Sequence, residues 1–139
     1  MKTTYIILFF LMVIVSLTGM LSSKNSLDIT QADISAKNFV NYVLAFDEYL
    51  LSHDVINGDV TNDVVIPTWL PVNSEIKMII SAGYGYIFMP SSPGMLANVQ
   101  QITGNSAMVG VSDSASISTP LGAIAKPAFI PSGYIVYVR

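Results

Sequence analysis

The chain is 139 residues long, with six basic and nine acidic side chains, a net charge of −3 at neutral pH and no cysteine. That length allows one modest core; the missing thiols exclude disulfides, thiolate metal sites and thiol nucleophiles, and the acidic balance argues against a nucleic-acid partner. The hydrophobic fraction of 52% is high, and much of it sits at the beginning.

No charged residue occurs from Thr3 through Ser23, and Tyr5, Ile6, Ile7, Leu8, Phe9, Phe10, Leu11, Met12, Val13, Ile14 and Val15 form an unbroken apolar run. At about 1.5 Å per residue, such a stretch makes a helix of roughly 30 Å, the thickness of a bilayer's hydrocarbon core. The sequence therefore predicts a membrane anchor at 1–23 and one small domain at 24–139. Two other fates stay open. Lys2 followed by an apolar run suits a secretory signal, although Ser16-Leu17-Thr18 is a poor cleavage region without Ala-x-Ala. A pilin leader is cut after a Gly that precedes the apolar run and leaves Glu fifth in the mature chain. Here Gly19 follows the run, and the fifth position would be Lys24. Lys2 against Lys24 favours an inside N-terminus.

From Lys24-Asn25-Ser26, a polar exit, a second helix is expected to begin at Asp28 or Thr30, with Gln31 or Asp33 in capping-box spacing. Ala32, Ala36, Phe39, Val43, Phe46 and Leu50 step by threes and fours along one stripe, flanked by Tyr42 and Tyr49 and widened by Val40, Leu44 and Leu51. Phe39, Val43, Phe46 and Leu50 thus form a candidate core face, or a face for a partner helix. The helix should end near His53, where Asn57-Gly58-Asp59 and Asn62-Asp63 form turns. The oxygen side chains of 54–63 lack the spacing and terminal Glu of a calcium loop, and the sole histidine has no evident catalytic companion.

Val64 to Pro71 carries two prolines and reads as an extended crossing, with Trp69 plugging the core edge. Glu75–Ser81 and Tyr84–Met89, joined by Ala82-Gly83, read as a hairpin with one polar and one buried face. Gly83-Tyr84-Gly85 lacks the rest of a dinucleotide fingerprint. Gly94 to Ile102 is a short second helix ended by Gly104-Asn105, and Ala107–Val111 a strand. The serine-rich 112–118 lacks the second glycine of a nucleophile elbow and reads as a thin, exposed strand or loop. Pro120-Leu121-Gly122 turns the chain, and Tyr134–Val138 closes it as a strand apolar enough to be buried. The predicted class is α+β: an N-terminal transmembrane helix, then an amphipathic helix on a small antiparallel sheet with a second short helix.

With its apolar opening, the chain resembles a known family through Asn38-Phe39-Val40-Asn41-Tyr42 with Ala45 and Tyr49, Gly58-Asp59-Val60, Pro67-Thr68-Trp69, the Tyr84/Tyr86 hairpin, Gly94-Met95-Leu96 and Ile130-Pro131-Ser132-Gly133. That family is the small PilM proteins of type IVb thin-pilus operons on conjugative plasmids, distinct from the actin-like protein of the same name. The resemblance implies a non-enzymatic accessory protein of type IV pilus biogenesis in the inner membrane of a Gram-negative bacterium. It would be single-pass with its C-terminal domain in the periplasm, and would touch other pilus assembly proteins. It brings no catalytic, cofactor or metal residues. Self-association, a minor pilin-like subunit and a secreted or periplasmic binding module after signal cleavage stay open.

Overall fold

The computed structural model describes residues 2–139; for 2–5, 10 and 17–27 it describes the helical backbone alone. The chain divides into two units, Met1–Gln31 and Ala32–Arg139.

The first unit is helical, within α1 (Lys2–Ser52). The separate helix start expected at Asp28 or Thr30 does not exist, because α1 runs through Lys24-Asn25-Ser26 without a break. These residues cost only a few tenths of a kcal/mol each in a helix interior, and no proline interrupts them. A residue able to cap therefore does not have to. Ile6 to Phe9 and Leu11 to Val15 expose large apolar side chains. Since they are consecutive, they point around the whole helix circumference. Among the described residues no helix is long and apolar enough to cross a membrane. The side chains of Tyr5, Phe10 and 17–23 in the expected anchor, and of 24–27 after it, lie outside what is described.

The second unit carries an antiparallel sheet. Its strands are β1 (Gly58–Asp59), β2 (Lys77–Ser81), β3 (Tyr84–Pro90), β4 (Val109–Ser112), β5 (Ser116–Thr119), β6 (Gly122–Ala125) and β7 (Tyr134–Val138), with α2 (Met95–Ile102) between β3 and β4. They are ordered β1-β2-β3-β7-β4-β5-β6, so the last strand of the chain is the middle of the sheet. The β2–β3 hairpin turns on Ala82 (φ 53°) and Gly83 (φ 83°). That pair of left-handed residues matches the twist of the flanking strands. Gly94, at φ 80°, starts α2.

The C-terminal part of α1 buries its predicted stripe. Phe39 and Phe46 are fully enclosed, with Ala36, Tyr42, Val43 and Ala45 beside them and Leu50 half-buried against the same cluster. Burying each phenylalanine contributes roughly 1.5–3 kcal/mol. This cluster takes in Met78 and Ile80 of β2, Ile87 and Met89 of β3, Ile135 and Tyr137 of β7, and Met95 and Val99 of α2. Leu44 and Leu51, expected to widen the stripe, are instead 61% and 77% exposed. The sheet meets only a narrow arc of the helix, and the arc is completed by Tyr42 and Ala45.

β3 is buried along almost its whole length, so the hairpin does not have the polar face expected of it. Its odd positions face α1, while Tyr86 and Phe88 join Val136, Ile117 and Ile130 in a second cluster on the other face. Trp69 does not plug the core; it is 70% exposed, and its neighbour Leu70 is buried instead. The Ser112–Ser118 stretch is more ordered than expected. Ser112 is buried at the end of β4, β5 pairs with it, and Pro120-Leu121 links β5 to an unanticipated edge strand, β6.

Candidate functional site

Among the described residues, four places combine polar chemistry with a concave surface or buried contacts. At the end of α1, the His53 amide donates to the Tyr49 carbonyl at 3.0 Å, and its ring stacks on Tyr49 with centroids 4.3 Å apart. His53 Nδ1 lies 2.9 Å from Ser52 Oγ and 3.2 Å from the Tyr49 oxygen. Ser52 Oγ also donates to the Glu48 carbonyl at 2.9 Å. These groups border a cleft of about 290 Å³ closed by Val65 and Pro67. Ser52 and His53 thus serve the frayed end of a helix, where carbonyls lack intrahelical partners. Among the polar groups joined to His53 there is no carboxylate to orient it as a base.

Ser112 is the one buried polar side chain among the described residues. Its Oγ donates to the Pro131 carbonyl at 2.6 Å and accepts from the Tyr134 amide at 2.9 Å. The hydroxyl thus both donates and accepts in fastening the start of β7 to the end of β4. Asp113 beyond it accepts from the amides of Ala115 and Ser116 and from Ser116 Oγ, and these bonds hold its carboxyl below the ordinary carboxylate range.

Asp47, Tyr137 and Arg139 tie α1 to the end of β7. Arg139 Nη1 is 2.7 Å from Asp47 Oδ1, and the Tyr137 hydroxyl donates to both Asp47 oxygens at 3.1 and 3.2 Å. Burial, then the Asp47 charge and hydrogen bond, push the Tyr137 hydroxyl up to about 12. A hydroxyl so reluctant to ionise is a brace rather than an acid.

On the face away from α1, Phe129 packs edge-on against Tyr86 (5.5 Å) and tilts over Phe88 (6.1 Å), and Phe88 meets Tyr134 at 6.1 Å. Phe88, Phe129 and Tyr134, with Pro90 and Pro131, line an open cleft of about 390 Å³ rimmed by Glu75 and Lys77. Burial, reinforced by Tyr84, raises the Tyr86 hydroxyl above its ordinary value. The lining of the cleft is mostly apolar and aromatic. Nothing in the sequence marked it, because Phe129 comes from a loop and joins β3 only through the fold.

Among the described residues no three His, Asp or Glu side chains group as a metal site. The oxygen-rich 54–63 stretch resolves into local turns: Asp59 Oδ1 accepts from the Thr61 amide at 2.9 Å, and Thr61 Oγ1 accepts from the Met78 amide at 2.9 Å. Of the helix-face candidates, Phe39, Val43 and Phe46 are buried on the domain's own sheet and Leu50 packs at its margin, so this face is not on the surface. The apolar residues 6–9 and 11–15 belong to the other unit.

The sequence profile of the PilM family, described simply as PilM, matches residues 7–138. A crystal structure from Escherichia coli B7A, provisionally named PilM, aligns with a TM-score of 0.59 at 21% identity, over 83% of this chain and 94% of that one. A second, from Pseudomonas aeruginosa 2192 and also provisionally named PilM, is 30% identical over 76% of this chain and 91% of its own, with a TM-score of 0.48. No curated protein matches the chain. The profile covers both the apolar opening and the sheet whose middle strand ends at Val138, and on that match the chain belongs to the PilM family.

Proposed function

We propose that the protein is a membrane-anchored, non-enzymatic accessory component of type IV pilus biogenesis, of the type IVb kind, acting by contacts with other assembly proteins. The observation that carries the reading is the family match over residues 7–138. Two features support it. The large apolar side chains at 6–9 and 11–15 are exposed, within a run free of charge from Thr3 to Ser23, which suits lipid better than water. Ser52 and His53 bond at a helix end, Ser112 and Asp47 in strand ties, and Asp59 and Asp113 in turns. An inside N-terminus, the sense favoured by Lys2, would leave the sheet domain in the periplasm of a bacterial inner membrane. Confinement there raises effective concentration, so weak contacts suffice.

The test is deletion of the protein from a cell assembling type IV pili, with crosslinking of the full chain in the same cell. Loss or alteration of pili, with crosslinks to a pilus component, is expected. Unchanged pili and no such crosslink would refute the reading. A second reading, a minor pilin-like subunit, draws on the unbroken α1 leading into the sheet domain. It requires the protein to appear in sheared pili, shortened at its N-terminus.

A further inference from the structure

The two edges of the sheet are unequal. β1 is two residues long and carries Asp59, a short and charged edge that discourages further pairing. β6, Gly122-Ala123-Ile124-Ala125, has four exposed residues and neither charge nor proline. Its ladder with β5 pairs Ser116 with Ala125, Ile117 with Ile124, Ser118 with Ala123 and Thr119 with Gly122. The Lys126 amide donates to the Ala115 carbonyl at 3.0 Å, which fixes the parity of that ladder. In an antiparallel pair, residues alternate between bonding their partner and pointing their amide and carbonyl the other way. Lys126, Ile124 and Gly122 therefore face β5. Ala123 and Ala125 direct both their N–H and C=O groups outward, and only another extended backbone offers a matching row.

We propose that β6 pairs with β6 of a second copy of this chain, antiparallel about a two-fold axis at Ile124, joining the two sheets edge to edge. In that register Ala123 of each copy lies opposite the other's Ala125, so all four outward donors and acceptors on each strand are used in four hydrogen bonds. Ile124, 40% exposed, meets its own copy as a non-bonded pair with Cα atoms about 4.5 Å apart. Lys126 falls opposite Gly122, so no like charges face each other. Pro127, which has no amide hydrogen, ends the ladder one step farther on. The second copy satisfies this register with groups already present, and it brings no charge against Lys126. The surface continues the aromatic face, because Ile124 lies opposite Ile117, and it stands apart from the pilus reading.

Four hydrogen bonds and one apolar pair make a weak contact, so the test is a covalent trap. With no native cysteine, Ile124→Cys in the full chain in detergent micelles gives a single thiol. Its Cα spacing across the axis falls at the short end of the roughly 4.4–6.8 Å range that a disulfide accepts. Leu121→Cys, at the exposed hairpin tip, would lie about 20 Å from its copy, six positions at about 3.4 Å each. Mild oxidation should give a disulfide dimer for Ile124→Cys and monomer for Leu121→Cys. Adding Ala125→Pro removes an outward amide without touching the β5 ladder, so the dimer should be lost while the circular dichroism is unchanged. Equal crosslinking at 121 and 124, persistence of the dimer with Ala125→Pro, or trapping of Ile124→Cys on a different polypeptide in cells would overturn the proposal.

Discussion

Gly85→Ala probes how α1 is seated. Gly85 lies on β3, facing the helix, and a Cβ built there would stand 2.9 Å from Phe46 Cε1 and Cζ and 2.9 Å from Leu50 Cδ1. Gly85 has no positive φ, so alanine fits its backbone and ordinarily would stabilise by about 0.4–1 kcal/mol through the unfolded chain. Leu50 can swing aside at the helix margin. Phe46 cannot, because it is fully buried. Overpacking of this kind costs typically 1–3 kcal/mol, so the net effect should be a destabilisation of about 0.5–2 kcal/mol. With a urea slope of roughly 1–3 kcal/mol per molar, the midpoint should fall by about 0.2–2 M. Near-UV circular dichroism of the packed tyrosines is the right probe, since Trp69 is too exposed to report on the core. Phe46→Leu in the same chain should remove part of the penalty, giving a coupling above about 0.5 kcal/mol between contacting residues. A Gly85→Ala chain more stable than the parent would refute the seating of Phe46 on β3.

Three other perturbations follow from the hydrogen bonds. Tyr42→Phe deletes a hydroxyl that donates to the Pro71 carbonyl at 3.0 Å and accepts from the Asn73 amide at 2.8 Å; about 1–2 kcal/mol should be lost in the same urea assay. Ser112→Ala strands the Pro131 carbonyl and Tyr134 amide and should cost about 1–3 kcal/mol, with any effect on pili following folded protein level in immunoblots. Tyr137 has its folded pKa raised from 10.0 to about 12. Its contribution is therefore fully present below pH 10 and lost as pH rises from 10 toward 12, by at most about 3 kcal/mol and less where solvent screens the Asp47–Arg139 pair. Tyr137→Phe should flatten that alkaline decline in a pH series of urea midpoints, leaving a smaller slope of the same sign from Tyr86.

The buried stripe of α1 was legible because Phe39, Val43 and Phe46 keep helical spacing, and the β2–β3 turn because Ala82-Gly83 is local chemistry. Burial widths were not legible. Leu44 is as apolar as Val43, and only the position of the sheet decides which one is covered. Trp69 and Leu70 are adjacent candidates for the same space, and the Pro67–Pro71 bend turns Leu70 inward. β6 escaped notice because alanine and glycine have little strand propensity; its conformation is imposed by pairing with β5. The aromatic cleft escaped because it joins Phe88 to Phe129 and Tyr134 across 46 positions of chain. The α1 break failed for the opposite reason: cap-forming residues were present, but nothing stopped the helix from running through them.

The proposed function has the apolar opening confine this domain to a membrane, where it would work by contact. Fractionation of cells producing the full chain tests it most directly. The protein should sediment with membranes through carbonate washing, and protease should reach its sheet domain only after the outer membrane is opened. Full-length protein free in the cytosol would contradict the account.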